Sequence, residues 1–203
     1  MKRDQEPLGR QEPPPPPGEA DGAEPEPPVW IFGYGSLVWR PGFEFTSRKV
    51  GFIRGYSRRF WQGDTFHRGS AKPGRVVTLL EDCGVSAAGR AAGRCHGAYL
   101  NVREAVLGGY DSKLVKFHPQ DKDAGEPILA LVYIATPQNP SYLGPASEED
   151  IAAQIIVSSG CAGHNIEYLL RLADFMRYFC PQAKDEHLFS IEEKSEEGKR
   201  TRV

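Results

Sequence analysis

Residues 29–39 read VWIFGYGSLVW, a strand-like apolar run broken by Gly33, Tyr34, Gly35 and Ser36. Glycine weakens a strand interior and tends to mark a place where a ligand or another backbone comes close. The familiar glycine motifs do not fit. A dinucleotide loop needs G-x-G-x-x-G, and Val38 stands where the third glycine belongs. A nucleophile elbow needs glycine two residues before the serine, and Tyr34 stands there before Ser36. Neither a Walker A loop nor an H-E-x-x-H pair occurs anywhere. What remains is a strand leading into a turn whose backbone N–H groups suit a carboxylate or an oxyanion. The plainer reading is a β-bulge with ordinary packing.

Other chemistry-bearing residues are less pointed. Glu104 follows Arg103 and reads, taken alone, as half of a surface ion pair. Arg54, Arg58, Arg59, Phe60, Trp61 and Arg68 interleave cations with aromatics, as in proteins that bind single-stranded nucleic acid. Asp64 interrupts that patch and the net charge is −2, so no nucleic-acid partner is expected. Cys83, Cys95, Cys161 and Cys180 form no CxxC and show no metal-like spacing, and the five histidines are scattered. A reduced, cytosolic chain without metal or cofactor is the expectation. The longest apolar run, ILALVYIA at 128–135, is far too short to span a bilayer, and no membrane partner is expected.

These residues need elements to hold them. Apolar patterning predicts strands at 29–33, 48–54, 76–81, 113–117 and 127–136, the last apolar enough to be buried on both faces. Ser147 and Asp150 form a variant capping box ahead of Ile151, Ile155 and Ile156, which predicts a helix over about 148–158. A second helix over about 164–179 puts Ile166, Leu169, Leu170, Ala173 and Met176 on one face, and Pro181 ends it. Strands early and helices late point to an α+β fold. Residues 1–28 hold 9 of the 17 prolines and no aromatic or β-branched residue, so they read as a disordered, proline-rich segment. Residues 191–203 read as a solvated polar tail. Residues 29–190, roughly 160 in all, suffice for one domain with one core.

Five blocks occur in order: FGYGSLVW at 32–39, GYSRRFWQGDTFHRG at 55–69, KPGRVVTLLED at 72–82, YLNVREAVLGGY at 99–110 and PQNPSYLGPA at 137–146. In these the chain resembles the ChaC family of glutathione-specific γ-glutamylcyclotransferases, and its proline-rich extension looks most like the stress-inducible vertebrate branch. The resemblance implies an α+β fold, a small mixed barrel-like sheet with flanking helices around a substrate pocket. It implies conversion of glutathione to 5-oxo-L-proline and L-cysteinylglycine, with no cofactor and no metal. The substrate's own α-amine attacks its γ-carbonyl, so no enzyme nucleophile is needed. The family's glycine loop maps onto Phe32, Gly33, Tyr34, Gly35, Ser36 and Leu37, which would clamp the γ-glutamyl group. On this view the two glycines let the backbone itself approach the substrate. The catalytic carboxylate maps onto Glu104, whose basicity at neutral pH requires burial. Tyr142 maps onto a pocket hydroxyl. Glutathione is the implied small-molecule partner, and the proline run offers a ligand for SH3- or WW-type domains.

One stretch departs from the family. Residues 83–98 read CGVSAAGRAAGRCHGA, with a tandem AAGR and no bulky aliphatic beyond Val85. The family has an apolar strand here, followed by a helix leading to the glutamate. The expectation is therefore that a core strand is missing and that Glu104 loses its aim. The alternative function follows from this: a catalytically impaired member acting as a binding or regulatory protein.

Overall fold

Five main strands close on themselves in this computed structural model, which describes residues 29–95, 109–121 and 125–200. They are β1 (Val29–Gly33), β2 (Ser47–Asp64), β3 (Gly74–Cys95), β4 (Asp111–Pro119) and β5 (Ile128–Ile134). The order around the barrel is β1-β3-β2-β4-β5, and β5 returns to β1 as the one parallel pair among these strands. A barrel leaves no open sheet edge among its members. Helix α1 (Glu148–Val157) follows, then a two-residue pair β6 (Ser159–Gly160) and β7 (Gly163–His164), then α2 (Asn165–Phe179) and α3 (Glu186–Arg200). The α+β barrel with flanking helices is the architecture that the sequence blocks imply.

The elements follow from local signals. The Ser147 hydroxyl accepts from the Asp150 amide at 3.1 Å and starts α1, which buries Ile151, Ala152 and Ile155. Helix α2 buries Tyr168, Leu169, Leu172, Ala173, Phe175 and Met176, a stripe shifted from the expected one. Phe32, Phe60 and Phe117 share one core with these helix residues, and Phe32 meets Phe117 at 5.7 Å. A smaller cluster, Ile31 and Tyr133 with Leu37, Phe43, Tyr110 and Leu131 against them, lies outside that core. No helix of the described residues is long and apolar enough to cross a membrane.

Two expectations are corrected. The stretch from residue 83 does not interrupt the sheet: β3 continues to Cys95 and pairs with both β1 and β2. Its small residues are what packing against β1 demands. Ala87, Ala88, Ala91 and Ala92 are buried. A Cβ on Gly89 would strike the Gly33 carbonyl and the Phe32 ring, and one on Gly93 would fall 2.9 Å from the Trp30 indole. The bulk absent from β3 is supplied by aromatics on β1. The four residues 82–85 loop out opposite Gly55, between the pairs Arg54↔Ser86 and Tyr56↔Glu81. Gly55 and Gly84 take φ of +82° and +85° there, a conformation that glycine adopts without a Cβ penalty. The other half of that expectation, that Glu104 loses its aim, falls on residues 96–108, which lie outside the described residues.

The second correction is at the C-terminal end. Residues 191–200, expected in a solvated tail, are the last two thirds of α3, with Ile191, Glu192 and Ser195 buried. Asp185 Oδ1 accepts from the Leu188 amide and opens the helix, while Arg177 of α2 pairs with the buried Glu192. Leu188 and Ile191 are fully buried and Phe189 packs beside them, so the apolar residues that anchor this mostly charged helix lie in its first two turns.

Candidate active site

Where β1 ends at Gly33, the chain turns through Tyr34 and Gly35 into a single 3₁₀ turn at Ser36–Val38. The Gly35 carbonyl accepts from the Val38 amide at 3.0 Å, and the Ser36 carbonyl accepts from Trp39 and Arg40 at 3.2 and 2.8 Å. The start of a helical turn leaves its leading N–H groups, here those of Ser36 and Leu37, without partners inside the turn. The side chains of Phe32 and Tyr34 point away from any solvent-facing ligand. Phe32 is in the barrel core, and the Tyr34 hydroxyl donates to the Tyr133 carbonyl at 2.6 Å. Gly35, Ser36 and Leu37 are the half-exposed part of the turn.

The two glycines answer first to protein packing. A Cβ on Gly33 would lie 2.5 Å from Leu37 Cβ, because the turn folds back on its own strand. A Cβ on Gly35 would lie 2.6 Å from Tyr168 Oη and 2.9 Å from Val77 Cγ2. The φ of Gly35 is −129°, outside the left-handed region. The missing side chains make room for the protein's own atoms.

Tyr142 is half-buried in the turn that follows β5, and its amide donates to the Asn139 carbonyl at 2.9 Å. It bridges to Gln62 of β2, which pairs with Val76 of β3, one residue from the Val77 that touches Gly35. The glycine turn and the Tyr142 turn therefore attach to adjacent residues of the same strand pair. The Asn139 carboxamide ties this region together. Its Oδ1 accepts from the Ser141 amide at 2.9 Å and from Gln62 Nε2 at 3.1 Å, while its Nδ2 donates to the Gly109 carbonyl at 2.9 Å. Gly109 is where the described chain resumes; Glu104, five positions earlier, lies outside the described residues.

Several positioning residues carry no recognisable signal of their own. Arg75, buried at the start of β3, donates to Gln154 of α1 at 2.7 Å and to the carbonyls of Phe60 and Gly144 at 3.0 and 3.2 Å. Gln62 and Asn139 are buried amides joined across 77 positions of sequence. Tyr168 of α2 is buried against the glycine turn, and burial pushes its phenol pKa well above the ordinary value, so it stays protonated. Among the described residues no group of three His, Cys, Asp or Glu side chains is placed to hold a metal.

A family model described as ChaC-like protein matches residues 29–198. The chain belongs to the ChaC-like family. A human protein named glutathione-specific γ-glutamylcyclotransferase 1 is 64% identical over 170 residues, covering 80% of this chain and 76% of its own. A Danio rerio protein of the same name is 59% identical over 172 residues, covering 81% of this chain and 87% of its own. A crystal structure of a γ-glutamyl cyclotransferase specific to glutathione from yeast superposes with a TM-score of 0.74 at 27% identity, covering 84% of this chain and 96% of its own. In this ChaC-like chain the recurring sequence blocks fall on β1 and its turn, on β2, on the first part of β3 and on the Asn139–Tyr142 turn.

Proposed function

We propose that this protein is a lyase that cyclises the γ-glutamyl group of glutathione, releasing 5-oxo-L-proline and L-cysteinylglycine. The observation that carries the reading is the 64% identity to a human protein bearing the name of that activity. The reaction needs few groups. The α-ammonium of the glutamyl residue loses a proton, and its nitrogen attacks the γ-carbonyl carbon to close a five-membered lactam. The carbonyl oxygen carries negative charge in the tetrahedral intermediate. The ring nitrogen gives up its second proton to become the lactam N–H, and collapse breaks the bond to the cysteinyl nitrogen, which takes up one proton as it leaves and the other as the free amine. Nothing is oxidised and no water adds.

In this scheme Glu104 accepts the proton from the α-ammonium and returns one to the leaving amine, a role assigned by its place in VREAVLGGY. The half-exposed main chain of Gly35, Ser36 and Leu37 offers N–H groups to the oxyanion. Phe32, Gly33 and Tyr34 hold that main chain in place from the core side. Tyr142 offers its hydroxyl to the bound γ-glutamyl group. Folding the substrate on itself makes attack intramolecular, which removes most of the entropic barrier. The free thiols of Cys83, Cys161 and Cys180 fit a reducing compartment, and we place the protein in the cytosol on that ground. The PPPPP run at 13–17 supports docking to SH3- or WW-type domains.

The test is a substrate panel. Purified protein incubated with glutathione should release 5-oxoproline and cysteinylglycine in equal amounts, and γ-glutamyl amino acids should be turned over far more slowly. Silence with glutathione alongside release from γ-glutamyl amino acids would move the activity to another substrate, and a folded but inert protein would end the enzymatic reading.

A further inference from the structure

At a break in the pairing of β2 with β3, a backbone donor of β3 meets a tyrosine. Arg59 pairs with Thr78 and Gln62 with Val76, so two residues of β2, Phe60 and Trp61, stand opposite the single Val77. This is a β-bulge, and it disrupts the ladder locally. The Val77 amide donates instead to Tyr168 Oη at 3.3 Å. Tyr168 is 4% exposed, and its ring is fixed from three sides. Phe60 meets it edge-on at 6.2 Å, Trp39 edge-on at 5.3 Å, and the Arg68 guanidinium lies over it at 6.0 Å. Trp39 directly follows the 3₁₀ turn and Gly35 directly precedes it. One side chain of α2 thus grips both ends of the turn that is offered to the substrate.

We infer that Tyr168 is a positioning residue for the glycine turn, and that its hydroxyl, with Val77 beside it, rather than the bound substrate, is what demands glycine at position 35. The hydroxyl is the nearest atom to a Cβ at Gly35, at 2.6 Å, with Val77 Cγ2 beside it at 2.9 Å, and the bulge at Val77 holds both in place. A side chain at position 35 would push the turn off α2, and the N–H groups of Ser36 and Leu37 would move with it. The inference rests on the proposed cyclotransferase activity only for one of its two readouts.

A double-mutant cycle in the full-length protein tests it, with Gly35→Ala, Tyr168→Phe and the pair together, read both on Tm and on kcat/KM for 5-oxoproline release at a temperature where all are folded. Gly35→Ala alone should lower kcat/KM by roughly 10²-fold, as a displacement of about 1 Å does. Tyr168→Phe removes the nearer of the two atoms that the new methyl strikes and leaves Val77 Cγ2 at 2.9 Å, so the pair should recover about tenfold of that loss, the size of coupling expected for groups in contact, and not all of it. Tm should recover in the same direction. Gly35→Ala being equally damaging in both backgrounds would overturn the inference, since the hydroxyl would then not be what excludes the methyl. Recovery of Tm without recovery of kcat/KM would also overturn it, by reducing Tyr168 to a packing role. Should Gly35→Ala fold in neither background, Tyr168→Phe alone decides: a loss of about tenfold in kcat/KM supports the role, and wild-type turnover removes it. If wild-type protein releases no 5-oxoproline, the cyclotransferase reading fails, and the Tm cycle still decides whether the hydroxyl is what excludes a side chain at Gly35.

Discussion

A carboxylate and an amide of the same shape differ at Glu104 only in the ability to take a proton. Glu104→Gln should therefore lower turnover by about 10²-fold or more while leaving Tm close to wild type. Wild-type turnover in that variant would assign proton transfer to another group. A second residue-scale effect concerns stability. His187 Nε2 accepts from the Phe60 amide at 3.1 Å. Burial, and then the nearby Arg59, lower its pKa, with Glu148 at 3.3 Å opposing. The folded state thus binds the proton less readily than the unfolded chain. The contribution is fully present above the ordinary histidine value of about 6.5 and is lost as pH falls from there through the depressed folded value. Tm should drop between pH 7.5 and pH 5.5, and His187→Gln should flatten that part of the profile. An unchanged slope in the variant would take His187 out of the acid sensitivity.

At the scale of elements, β3 is held by small residues under aromatic neighbours, so adding bulk there should hurt more than removing it. Gly89→Val would drive a side chain into the Gly33 carbonyl and the Phe32 ring, at a cost of about 1–3 kcal/mol or more. For a chain of this size that is about 2–12 °C of Tm, at about 2–4 °C per kcal/mol. A neutral effect would mean that β3 does not pack on β1 as described. Helix α3 makes the opposite prediction. Ile191 is fully buried between helices, and Ile191→Ala should cost about 2–5 kcal/mol, whereas a residue in a solvated tail would cost nothing measurable. The sequence pattern made some of this legible. The Ser147 cap and the apolar spacing of α1 and α2 are local signals, and the structure places those helices within a residue or two of where they are expected. The lengths of β2 and β3 are set by their pairing with each other, and pairing leaves no mark in either strand's own composition. The alanines and glycines of 87–93 make sense only beside Trp30 and Phe32, which stand far away in sequence. The turn at 32–37 was visible as a motif, but the partner that explains Gly35, Tyr168, sits on a helix more than a hundred positions later.

For the molecule as a whole, the barrel and the three helices form the working unit, and the composition of the N-terminal segment gives it nothing to pack with. Removal of residues 1–28 should leave both Tm and turnover unaltered; a large loss of either would mean that the segment docks on the barrel. The central claim is that the substrate cyclises on itself while the protein supplies only positioning, an oxyanion site and a proton carrier. Isotope tracing tests that claim most directly. Glutathione should be turned over in water enriched in ¹⁸O, and the glutamyl-derived product collected for mass spectrometry. The account predicts 5-oxoproline free of ¹⁸O from the solvent, formed in step with cysteinylglycine. Glutamate carrying one ¹⁸O in its γ-carboxyl group would contradict it, because water rather than the α-amine would then have attacked the carbonyl.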